Sequence, residues 1–153
     1  MINRKPVGPS GRSVAGRVAS ATLAALTESL PMPRTILDES RLHPAIRDSV
    51  FNFHADIVHN VQAATTSNPV LVVGKAQNPH CRRARKLLDD AAVAHQYLEY
   101  GSYFSQWQAR GTLKMWTGWA TFPMVFVKGV LVGGADDLAK LVRSGELKRL
   151  LGE

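Results

Sequence analysis

The apolar positions of this chain fall into short blocks whose spacing changes from helical to strand-like and back. Between His43 and Thr66, the residues Ile46, Val50, Phe53, Ile57 and Val61 follow one another at steps of four, three, four and four. That rhythm predicts one helix with all five side chains on a single stripe. Asn68-Pro69 closes it, because proline brings no N–H to a further turn and restricts the residue before it. Val70-Leu71-Val72-Val73-Gly74 then runs apolar without interruption, the pattern of a strand buried on both faces. Asn78-Pro79 opens the next helix, with Asn78 as N-cap and Pro79 at the first helical position, where a missing N–H costs nothing. Ala84, Leu87, Leu88 and Ala91 give it a buried face.

His95 to Tyr100 predicts a second strand, and Phe104 to Trp116 a helix containing Trp107, Leu113 and Met115. Met124-Val125-Phe126-Val127 and Val130-Leu131-Val132 flank Lys128-Gly129, a two-residue connection with glycine where a tight hairpin needs positive φ. Gly133-Gly134 leads into a final helix over Ala135 to Leu151, with Leu138, Leu141 and Val142 inward. The order α-βαβ-α-ββ-α predicts an α/β fold, a mixed four-stranded sheet between helices with an additional N-terminal helix.

Composition changes this picture mainly at the N-terminus. Residues 1–31 are rich in Gly, Ser, Ala and Arg, and Glu28 is their only acid. They are expected to be disordered. Organelle targeting and an upstream start codon preceding a start at Met32 both explain them, and the second is preferred. The expected organisation is therefore 1–33 as disordered, targeting or upstream-start segment, 34–66 as helical extension and 67–153 as the folded domain. Of the net charge of +7, Arg4, Lys5, Arg12 and Arg17 against Glu28 place +3 in residues 1–31, leaving +4 on the rest. No basic stripe is interleaved with aromatics, so nucleic acid is not an expected partner. The longest apolar stretch, Val70 to Val73, is too short for a membrane span.

The lone cysteine, Cys81, has no partner for an internal disulfide, and a reducing, cytoplasmic location is the expectation. His43, His54 and His59 share no metal-binding pattern, and no metal site is expected. Arg82-Arg83-Ala84-Arg85-Lys86 sets four cations in the first turns of a helix, where the dipole opposes them. An acidic protein partner or a solvated face would each explain that run.

Taken in order, several short motifs resemble the glutaredoxin family, and the C-terminal half is most similar to its monothiol branch. Lys75 precedes Asn78-Pro79-His80-Cys81 as the family's lysine precedes its C-P-Y-C motif. Trp119-Ala120-Thr121-Phe122-Pro123 is similar to W-P-T-F-P, with Arg110 and Leu113 upstream at the family's spacing. Val132-Gly133-Gly134-Ala135-Asp136 resembles V-G-G-x-D, and Ser144-Gly145-Glu146-Leu147 resembles the closing helix. The resemblance covers about residues 60–152 and implies a three-layer thioredoxin-like domain with a cis Phe122-Pro123 bond. It also implies a glutathione site. Gly133 and Gly134 would hold the γ-glutamyl carboxylate at a helix N-terminus, Asp136 or Asp137 the ammonium, and Lys75 and Arg110 the glycyl carboxylate. Asn78, Thr121, Phe122 and Pro123 would border the ligand, with the Phe122 backbone pairing an extended peptide-like chain.

In one respect the chain departs from that family. Asn78 stands where the nucleophilic cysteine belongs, and an amide neither forms a mixed disulfide nor leaves as a thiolate. Cys81 occupies the position that resolves rather than attacks. It is the one candidate catalytic residue, activated if Arg82, Arg83 and Arg85 favour its thiolate and inert if it is buried. A [2Fe–2S] cluster, ligated in the monothiol branch through the first cysteine, is not expected, since His80 or Cys81 would have to replace it. The sequence also lacks the residues which that branch inserts before the motif. Three functions follow: a glutathione-binding protein with weak or absent thiol-disulfide exchange, a single-cysteine glutathione-dependent oxidoreductase using Cys81, or a non-redox interaction module.

Overall fold

The computed structural model describes residues 32–153 in two compact units, divided between Leu42 and His43. The expected disorder of residues 1–31 lies outside the described residues. In the first unit, residues 32–38 are irregular and Glu39–Arg41 form a 3₁₀ turn, with Asp38 accepting a hydrogen bond from the Ser40 N–H at 2.9 Å. The remaining elements belong to the second unit.

The single helix expected over His43 to Thr66 is two helices, α1 (Pro44–Asn52) and α2 (Ala55–Ser67). The break falls at Phe53 and His54, where His54 adopts a left-handed conformation, φ 46°. The Phe53 ring meets the His54 ring edge-on, 4.6 Å between centroids. The apolar stripe divides at the same point. Ile57 and Val61 are buried, whereas Ile46, Val50 and Phe53 remain 42–48% exposed. Periodicity reports the helical rhythm but not whether a surface exists to receive the stripe. Here α2 packs on β1 and on the helix after β2, and α1 has no comparable neighbour.

The sheet contains β1 (Val70–Gly74), β2 (Gln96–Glu99), β3 (Met124–Val127) and β4 (Val130–Gly133), in the order β2-β1-β3-β4. Strand β1 runs parallel to β2, with Leu71 opposite Gln96, and antiparallel to β3, with Val73 opposite Met124. It is interior and buried along its whole length, as its unbroken apolar run requires. Val70 and Val72 point to one face, with Val125 and Val127, against α3 (Pro79–Asp90), α5 (Ala135–Ser144) and α6 (Glu146–Leu150). Leu71 and Val73 point to the other, with Met124 and Phe126, against α2 and α4 (Trp107–Thr117). Period-two alternation thus produces the three layers of a thioredoxin-like fold.

Three expected boundaries move. Strand β2 is shorter than His95 to Tyr100 by one residue at each end. Helix α4 starts at Trp107 rather than Phe104, behind Gln106 in a left-handed conformation, and Phe104 is left 96% exposed. The final helix is divided at Gly145, whose φ of 76° ends α5 in the manner of a glycine C-cap. The β3–β4 hairpin is as predicted, with Lys128 and Gly129 both at positive φ, 49° and 79°, as a primed two-residue turn demands. Among the described residues no helix is long and apolar enough to cross a membrane.

Candidate functional site

The start of α3 lies just beyond β1, where Asn78 is extended and 9% exposed. Its Oδ1 accepts from the backbone N–H of His80 at 2.8 Å and of Cys81 at 3.2 Å. Both donors would otherwise be available to stabilise an anion, including a thiolate, at this helix N-terminus. A neutral amide oxygen takes them instead.

Cys81 faces inward and is 1% exposed. A Cβ added at Gly74 would lie 2.8 Å from the Cys81 Sγ and equally close to the Tyr97 ring, so the absence of a side chain at Gly74 makes room for this thiol. Burial pushes the thiol pKa up from its ordinary value, and the Lys75 backbone N–H and the charges of Lys75 and Arg85 only partly oppose it. Three of the four cations of the basic run have other partners of their own. The Arg85 guanidinium lies 4.2 Å above the Tyr97 ring, Lys86 pairs with Asp90 at 2.7 Å, and Arg83 bonds to Asp136.

On the far side of the helix start, the Phe122-Pro123 peptide is cis. Thr121 and Phe122 form a bend outside the sheet ladders. Thr121, Phe122, Pro123, Gly134, Asp136 and Asp137 line one groove of about 210 Å³, together with His80, Trp119 and Ala135. Below about 300 Å³ a pocket holds part of a small ligand rather than enclosing it.

The other expected ligand residues lie outside this lining. Asn78 caps α3, and Lys75 places its ammonium 3.8 Å above the Tyr103 ring. Arg110 is 7% exposed and donates from Nη1 to the carbonyls of Tyr100 at 2.8 Å and Ser105 at 2.5 Å, bracing the β2–α4 connection. Gly133, at φ 117°, lies behind the groove, where any Cβ would run into the Asp137 carboxylate. That carboxylate accepts from the Gly134 N–H at 3.0 Å, so Asp137 is a capping residue.

The glutaredoxin family model matches residues 70–132. A glutaredoxin-like protein of Dictyostelium discoideum is 46% identical over 102 residues, which cover 67% of this chain and 83% of that one. The chain belongs to the glutaredoxin family. A chloroplastic rice glutaredoxin is 36% identical over 87 residues, 57% of this chain and 65% of its own. Among solved structures, oxidised glutaredoxin 2 of Chlamydomonas reinhardtii superposes with a TM-score of 0.57 at 30% identity, over 65% of this chain and 94% of that one. A buckwheat glutaredoxin–glutathione complex superposes equally well, with a TM-score of 0.57 at 27% identity over 66% and 92%.

Within this glutaredoxin domain, Trp119 is a groove residue to which motif matching alone did not assign a role. Its indole Nε1 is buried and has no hydrogen-bond partner. A Cβ at Gly134 would stand 3.8 Å from that nitrogen and 3.5 Å from the Pro123 carbonyl oxygen. Leaving such a donor unpaired costs about 1–3 kcal/mol. The signal in the sequence was a donor-only side chain ahead of a Thr-Phe-Pro bend, but its aim toward Gly134 is a tertiary fact. His80 and Ala135 were likewise not counted among the ligand residues, and both line the groove.

Proposed function

We propose that this glutaredoxin-family protein binds glutathione, or a peptide-like ligand of the same chemistry, in the groove beside Gly134, and carries out thiol-disulfide exchange weakly or not at all. One observation carries the reading. The donors at the start of α3 are taken by Asn78, while the N-cap of α5, Gly134, lines the groove and has no side chain to take that helix's first-turn donors. The family membership and the buckwheat neighbour, solved with glutathione, support the ligand class.

The residues present fit such a molecule. The first-turn N–H groups of α5, at Ala135 and Asp136, have no intrahelical partners and would hold a carboxylate, with the helix dipole behind them. Asp136 would accept from an ammonium. The Phe122 backbone, outside the ladders, would pair with an extended main chain. Glutathione itself would supply the thiol in any redox step, and this chain would supply its orientation. The chain's own nucleophile is missing, because Asn78 has no attacking sulfur and Cys81 keeps its proton in a buried site. The same residues do not fit an iron–sulfur cluster, since the Cys81 sulfur is enclosed against Gly74 and Tyr97.

A second reading, a non-redox interaction module, is favoured by an apolar groove of about 430 Å³ lined by Phe51, Phe53, Met115 and Trp116. Calorimetric titration with reduced glutathione, and disulfide reduction assayed on the same preparation, separate these readings. Saturable binding with background activity is expected. Vigorous activity abolished by Cys81→Ser would make the protein a single-cysteine oxidoreductase. Absence of both binding and activity would leave the interaction module.

A further inference from the structure

Asp136 stands in the groove wall already engaged. Helices α3 and α5 pack against each other, and Nη1 of Arg83 on α3 donates to Oδ1 of Asp136 in the first turn of α5. Asp136 shares the groove with Trp119 and Gly134. A carboxylate at that point is the obvious acceptor for a ligand's ammonium, yet here its charge is already balanced by a guanidinium that stays protonated at any working pH.

We infer that Arg83 sets the specificity of this groove by competing for Asp136 with the cationic end of a ligand. The inference rests on the glutathione-type reading of the groove and says which part of such a ligand the site rewards. Oδ1 is occupied while Oδ2 keeps free lone pairs, so an ammonium is not sterically shut out. It meets instead a carboxylate with little net negative charge and a neighbouring cation. Lys140 adds further positive charge near Asp136. A ligand carboxylate gains from the same arrangement, because Arg83 adds a cation to the donors of the α5 N-terminus. The groove therefore favours the anionic over the cationic group of an amino-acid end.

Both side chains are largely in solvent, with exposures of 47% for Arg83 and 81% for Asp136. Water screens the pair, so the effect is modest, about two- to fivefold in affinity. The test compares reduced glutathione with its analogue lacking the α-amino group, by calorimetry, on the wild type, Arg83→Gln and Arg83→Lys. In Arg83→Gln the preference for glutathione over the analogue should rise about two- to fivefold. Arg83→Lys, which keeps the charge, should stay near the wild type. An unchanged or reduced preference in Arg83→Gln, with glutathione still bound by the wild type, overturns this inference alone. If no variant binds either compound, the groove reading fails and takes the inference with it.

Discussion

At the start of α3, Asn78 brings its Oδ1 within 2.8 Å of the His80 N–H and 3.2 Å of the Cys81 N–H, whereas α5 starts at a glycine with no side chain to cap it. The nearest substitute at α5 is Asp137, which takes only the Gly134 N–H. Two helix N-termini on the same face of one sheet therefore have different chemistry. A helix start stabilises an anion only when its donors are not already taken. At α3 the sequence has spent them on a neutral amide, and at α5 it has left the first turn open beside an unpaired indole N–H. The two helix starts of this glutaredoxin domain thus differ in the donors they leave free.

The most forceful way to break this contrast is to restore a sulfur at α3. Asn78→Cys frees both donors for a thiolate and recreates a Cys-Pro-His-Cys motif. Glutathione-dependent disulfide reduction should rise by orders of magnitude over the native protein. If it does not, the groove has diverged as well as the nucleophile. The native thiol supplies the second test. Cys81 should react with an alkylating agent far more slowly in the folded chain than in denaturant, since it is 1% exposed and its pKa is raised by burial.

Smaller effects probe the two caps. Gly133→Ala should cost about 1–3 kcal/mol in chemical denaturation, because its positive φ is strained for alanine and its Cβ would displace the Asp137 carboxylate. It should also weaken glutathione binding. Asn78→Ala should cost about 1 kcal/mol by loss of the cap, without creating activity. The smallest effect is a pH dependence. Cys81 holds its proton more tightly folded than unfolded, so its contribution to stability is complete below the ordinary thiol pKa of 9.0 and is lost as pH rises above it. Cys81→Ser should flatten that decline until Tyr97, whose phenol is raised by burial and by its bond to Glu99, adds its own loss above pH 10.0.

Much of this was legible in the chain. The unbroken Val70–Val73 run gave an interior strand, Lys128-Gly129 gave the hairpin, and Asn78-Pro79 gave both the helix start and its cap, because each is decided by local chemistry. What was hidden depends on partners distant in sequence. Ile46, Val50 and Phe53 keep the helical rhythm of Ile57 and Val61, yet only the latter two meet a buried surface. Arg110 has the spacing expected of a ligand residue, and the bonds from its Nη1 to the Tyr100 and Ser105 carbonyls could not be read from that spacing. Arg83 looked like one more member of a charge run until the fold set it against Asp136, fifty-three residues away. Gly145 could have been read as a helix end, since glycine is the usual residue at a left-handed C-cap.

The central contrast is between a spent helix start and an open one, and a single titration addresses it. In ¹⁵N-labelled native protein, reduced glutathione should shift the Trp119 indole N–H and the amides of Gly134, Ala135 and Asp136 together and saturably, leaving the Cys81 amide in place. An indole resonance that stays fixed while glutathione is added, or a perturbation centred on Cys81, would contradict it.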